Sequence, residues 1–120
     1  MILKDGNAAQ LARMMMDAGK IFQAFYDVLT HHSWSVRLGA MVAVEELIDV
    51  QPELAAHMNT PLWERFSAVS EPVQGDILYI LGEVGHPDVK GTLESVLNGD
   101  YSAEVKEAAE EALAKLKNHA

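Results

Sequence analysis

The stretch SWSVRLGAMVAVEEL, residues 33–47, decides how this chain folds, because its pattern returns twice further on. SEPVQGDILYILGEV (70–84) and SAEVKEAAEEALAKL (102–116) superimpose on it without a gap. Each begins with serine and carries valine three residues later: Ser33 and Val36, Ser70 and Val73, Ser102 and Val105. From that valine, apolar residues recur at +4, +7, +8 and +11. They are Ala40, Ala43, Val44 and Leu47, then Ile77, Ile80, Leu81 and Val84, then Ala109, Ala112, Leu113 and Leu116. That spacing draws a single stripe along an α-helix. A serine just ahead of the stripe stands where an N-cap belongs, its hydroxyl accepting a backbone N–H of the first turn. Three copies in register predict three equivalent helices and a repeat architecture.

Working outward, NAAQLARMMMDA (7–18) reads as a degenerate fourth copy, with Asn7 in the valine slot and Leu11, Met14, Met15 and Ala18 behind it. The triple methionine then reads as core packing. Between the stripes lie partner helices. KIFQAFYDVLT (20–30) sets Ile21, Phe25, Val28 and Leu29 on one face. PELAAHMNTPLWERFSAV (52–69) is expected to break at Asn59–Pro61, with Thr60 as cap and Pro61 in the first helical position. PDVKGTLESVL (87–97) offers Val89, Leu93, Val96 and Leu97 for burial. Gly19, Gly85 and Gly99 punctuate helix ends, where a left-handed residue is expected. No segment reads as a strand. The expectation is an all-α chain forming one domain over residues 1–120, with N-terminal helices in 7–32 and successive units at 33–69, 70–101 and 102–117.

Composition bounds the rest. A chain of 120 residues with 49% apolar content is one domain's worth and sufficient for a packed core. Cysteine is missing, which excludes disulfides, thiolate metal sites and a cysteine nucleophile. Acidic residues outnumber basic ones 18 to 9, a formal charge of −9. That field repels phosphate backbones, so nucleic acid is not an expected partner. No apolar run approaches the roughly 20 residues that span a bilayer, so no membrane partner is expected either. The N-terminal MILKDGN is too short and too soon polar for a signal peptide, and a cytoplasmic location is expected.

The 33–47 and 102–116 stretches resemble the second helix of HEAT repeats, with valine, a basic residue and alanines closing a helix pair. LGEVGHPDVKGTLESVLNGDYSAEVKEAAEEALAKL (81–116) is similar to HEAT-like repeats of the phycobilisome-lyase type, which share a Leu-Gly-x-x-Gly-x-Pro turn. The resemblance covers about residues 20–117. The middle copy departs from it, with Gln74 in place of the basic residue and Asp76 where a small residue is usual. His86 stands where such turns often carry aspartate. The resemblance implies antiparallel helix pairs stacked into a short right-handed, armadillo-like α-α superhelix of about three pairs plus an N-terminal helix. It also implies protein binding or scaffolding. The N-terminal part further resembles HEAT segments attached to thioredoxin-like prokaryotic proteins, and lyase-type relatives handle bilin chromophores.

Several residues invite a chemical reading. His31 and His32 are adjacent, ahead of Ser33, but lack the i, i+4 spacing that lets two imidazoles share a metal from one helix face. The later copies put Ala68 and Val69, then Asp100 and Tyr101, in their places, so no ligand column repeats. LGEVGHPD has two glycines, yet it follows a helix and lacks the lysine of a phosphate loop. Glu45/Glu46 and Glu110/Glu111 are neighbours on helices, about 100° apart, and do not converge as an acid–base pair. No G-x-S-x-G or H-E-x-x-H spacing occurs. No catalytic, cofactor-binding or metal residue is expected, and the chain is not expected to be an enzyme.

What does stand out is apolar residue on faces that should be polar. Positions +2, +5 and +6 from each valine lie off the stripe; in the last copy they are Glu107, Glu110 and Glu111. In the first they are Leu38, Met41 and Val42, and in the second Gly75, Leu78 and Tyr79. A helix apolar all round is either buried on both sides or covered by something else. On the second reading Trp34, Met41, Leu78 and Tyr79, together with Arg37 and Trp63, line a patch for a protein partner, residue types that interfaces enrich. The expected function is a non-catalytic protein–protein interaction or scaffold module, with self-association also possible. The alternative is an accessory domain of an enzyme system, either a thioredoxin-like redox protein or a lyase-type chromophore chaperone.

Overall fold

A computed structural model describes residues 5–119, with side chains described over residues 7–117. All regular structure among the described residues is helical. The helices are α1 (Asp5–Ala18), α2 (Gln23–Leu29), α3 (Trp34–Val50), α4 (Pro52–Ala55), α5 (Asn59–Arg65), α6 (Glu71–Val84), α7 (Lys90–Leu97) and α8 (Ala103–His119). Short 3₁₀ turns at Ala56–Met58, Phe66–Ala68 and Pro87–Val89 join some of them. The three copies of the stripe are α3, α6 and α8. The chain divides into two compact units between Glu64 and Arg65.

In the first unit α3 is the hub, packing against α1, α2 and α4. It buries Ala40, Ala43, Val44 and Leu47, four of the five stripe positions, while Val36 in its first turn is half-buried. α1 buries Ala8, Ala12 and Met15. That is one residue out of step with the expected fourth copy: Asn7 and Met14 are exposed and Leu11 is half-buried. Alanines at 8 and 12 let α1 approach α3 closely, where the expected Asn7 and Leu11 would hold it off. α2 buries Phe25 and Leu29 as expected, and Tyr26 as well.

In the second unit α8 packs against both α6 and α7. Val73, Ile77, Ile80 and Leu81 of α6 meet Val105, Ala109 and Ala112 of α8 in a core completed by Phe66, Val89, Leu93 and Val96. Leu97 is only half-buried. At one place α6 and α8 approach closely enough to require glycine. A Cβ built on Gly82 would lie 2.8 Å from the Ala112 Cα and 2.9 Å from its Cβ, well inside van der Waals contact.

Local signals were kept in part. Gly19 and Gly85 both have φ of 71°, the left-handed conformation expected at a helix end. Gly99 does not; it is glycine because a Cβ there would meet the Tyr101 ring at 2.7 Å and the Ser95 carbonyl oxygen at 3.0 Å. Of the three serine caps, Ser102 alone uses its hydroxyl, accepting the Val105 N–H at 3.3 Å. Ser33 and Ser70 occupy N-cap positions with extended backbone but no side-chain cap bond. The Ser33 hydroxyl lies 3.1 Å from that of Ser35, and Pro72 removes one N–H that Ser70 would otherwise cap. The long segment 52–69 changes character earlier than expected, at the 3₁₀ turn Ala56–Met58. Thr60 and Pro61 are the second and third residues of α5, because a first helical turn tolerates proline.

Candidate functional site

The exposed face of α3 begins with a turn that is held from within. The His31 Nδ1 accepts the Ser33 N–H at 2.9 Å, as an aspartate or asparagine would at a helix start. Its ring stacks on His32, centroids 4.3 Å apart. The Arg37 side chain turns inward, only 5% exposed, and its Nη1 donates to the carbonyls of His31 at 2.8 Å and His32 at 3.0 Å. Thr30 closes the end of α2 by donating its hydroxyl to the Tyr26 carbonyl at 2.8 Å. These bonds fix the point at which α3 leaves the turn, and so fix where its first side chains point.

The middle copy repeats the device with another residue. Gln74 occupies the position of Arg37, one after the valine, and is also buried. Its Nε2 donates to the Phe66 carbonyl at 2.9 Å. The departure from a basic residue at 74 therefore keeps the task, which is to supply a side-chain N–H to a carbonyl in the segment ahead of the helix. His86 does at the next turn what His31 does, its Nδ1 accepting the Asp88 N–H at 3.1 Å. These imidazoles serve the backbone. Among the described residues no group of three His, Asp or Glu side chains is placed to hold a metal ion.

With Arg37 turned in, the outer arc of α3 is left to Trp34, Leu38 and Val42, which are 67%, 51% and 39% exposed. At about 100° per residue these three fall within an arc of about 80°, a continuous apolar stripe two turns long. Met41 is half-buried at its edge. Beyond Val42 the same helix exposes Glu45, Glu46 and Asp49. Glu45 and Asp49 fall inside the arc of the stripe, about 20° and 60° round from Trp34. The face is thus apolar over its N-terminal half and acidic over its C-terminal half.

The expected patch residues therefore separate. Trp34 and Met41 share this face, and Leu38 and Val42 belong to it although the expected patch did not include them. Their i, i+4, i+8 spacing from Trp34 is the signal that finds them. Arg37 is a structural staple, and the half-buried Trp63 of α5 is off this helix. In the second unit Leu78 is fully buried, which takes it out of any exposed patch. Tyr79, its neighbour, is 39% exposed, and its ring lies under the Lys115 Nζ, 4.0 Å from the centroid. Lys115 also pairs with Glu83 at 2.6 Å, bridging α8 to α6.

The first unit also carries a groove of about 470 Å³ lined chiefly by Leu11, Met14, Phe22, Phe25 and Val28 of the α1–α2 region. No helix among the described residues is long and apolar enough to cross a membrane. Comparison of the chain with protein-family models, curated proteins and solved structures finds no match.

Proposed function

We propose that this chain is a non-catalytic protein-interaction module, its helices paired in the manner of HEAT-like repeats. The observation that carries the reading is the exposed Trp34–Leu38–Val42 stripe on a helix that buries Ala40, Ala43, Val44 and Leu47 on its other side. Large apolar side chains scattered singly on a surface need no explanation, but a contiguous stripe with a tryptophan at its head is what a partner covers. The repeat reading is supported by the equivalent burial of the +4 and +7 positions in α3, α6 and α8. Rigidity supports it too: the Arg37 and His31 bonds hold the start of α3, so little order remains to be imposed when a partner arrives.

Selection of displayed peptides on the wild-type chain, with Leu38→Asp as the counter-target, tests the proposal. Enriched peptides should bind wild type and fail on Leu38→Asp, while circular dichroism shows both proteins equally helical. Peptides that bind both proteins alike would place the interaction elsewhere and remove the reading from α3.

A further inference from the structure

The geometry points to a basic amphipathic helix as the partner of the α3 face, with apolar residues against Trp34, Leu38 and Val42 and lysine or arginine over Glu45, Glu46 and Asp49. This inference rests on the interaction-module reading and specifies the chemistry of its occupant. The apolar half of the face spans nine residues, a rise of about 12 Å along the helix, which a partner helix matches with apolar residues at i, i+4 and i+7 or i+8. The acidic half follows on the same arc. α3 has no basic residue in its last turn, and its one cation, Arg37, is committed to the His31 and His32 carbonyls. Three exposed carboxylates near the negative end of a helix dipole thus stand without a cation on their own helix.

Charge also decides against a second copy as occupant. Another chain brings a net charge of −9 and an α3 with the same three carboxylates and no exposed cation. In a parallel pair acids would face acids; in an antiparallel pair they would face an end whose one cation, Arg37, is buried under its own turn. A helix with cations at its far end complements both halves at once. Opposite potentials across the interface also speed encounter and fix orientation, since reversing the helix would take its cations off the carboxylates and lay its apolar residues over them.

Three synthetic helical peptides of identical length supply the probes. One carries leucine at i, i+4 and i+8 with lysines beyond, one has glutamate for each lysine, and one has serine for each leucine. Calorimetric titration at low and moderate salt, with the full chain, should show saturable binding of the lysine peptide alone. Reversing the α3 acids together (E45K, E46K, D49K) should weaken it about tenfold, the sum expected of three rim ion pairs. Reversing three exposed acids of α8 (E107K, E110K, E111K) makes the same change in net charge and should weaken binding less than reversing the acids of the docking helix itself. Equal losses from the two reversals, or equal binding of lysine and glutamate peptides, would overturn the basic partner. If Leu38→Asp still abolishes binding in that case, the α3 docking surface survives and only its partner chemistry is wrong. If Leu38→Asp changes nothing, both fail together. Light scattering that finds a wild-type dimer, made monomeric by Leu38→Asp, would put a second copy on the face instead.

Discussion

Two glycines on the same helix should respond to the same substitution with opposite signs. Gly82 and Gly75 both lie inside α6, seven residues apart. A methyl group at Gly82 would sit 2.8 Å from the Ala112 Cα, whereas at Gly75 it would meet nothing within 4 Å. The Gly82 clash is with backbone, so no rotamer change relieves it; α8 must move off α6 by about 1 Å to restore ordinary contact. Such overpacking costs about 1–3 kcal/mol, against which alanine returns about 1 kcal/mol of helix preference. Gly82→Ala should therefore lose up to about 2 kcal/mol, and Gly75→Ala should gain up to about 1 kcal/mol. Urea unfolding followed by far-ultraviolet circular dichroism measures both, as shifts in midpoint at constant slope. If Gly82→Ala is as stable as Gly75→Ala, the close α6–α8 approach is not present in solution and the packing described for this unit is wrong.

Other expectations follow from single contacts. Ser102→Ala should cost about 1 kcal/mol and Ser33→Ala or Ser70→Ala almost nothing, because Ser102 is the serine whose hydroxyl caps its helix; urea midpoints of the three variants decide it. Arg37→Met removes two charge-assisted donors from the His31 and His32 carbonyls and should destabilise by about 2–3 kcal/mol, with faster amide exchange at residues 31–37. Leu78→Ala should cost about 2–5 kcal/mol, as for any fully buried leucine. Tyr79→Ala, one residue along, should cost less than Leu78→Ala, because the Tyr79 ring is 39% exposed under the Lys115 Nζ.

The sequence made the repeated stripe legible because one periodicity was written three times over. The +4 and +7 residues of α3, α6 and α8 are buried without exception. Where the writing was redundant, register was lost: in α1 three consecutive methionines satisfy any helical phase, and the small Ala8 and Ala12 that set the true one carry little hydrophobic signal. The serine caps show that a favourable residue type at the right place does not ensure the bond, since Pro72 and Ser35 changed what the neighbouring hydroxyls could do. Arg37 belongs to the expected surface patch because arginine is usually exposed. Its burial depends on carbonyls in the preceding turn, which a one-dimensional pattern does not display, although Gln74 in the same column was a hint. Leu78 and Tyr79 are adjacent and both off the stripe, yet one is fully buried and the other 39% exposed, a difference that the pattern alone does not display. On α3 the outward arc was legible from spacing once Trp34 was taken as its first member.

The central claim is that the outer face of α3 binds a partner helix. Titrating isotope-labelled chain with the leucine–lysine peptide and following amide chemical shifts tests it most directly. The largest shifts should map to residues 34–49 and vanish in Leu38→Asp. Shifts centred on the α1–α2 groove or on α8, with residues 34–49 unmoved, would contradict it.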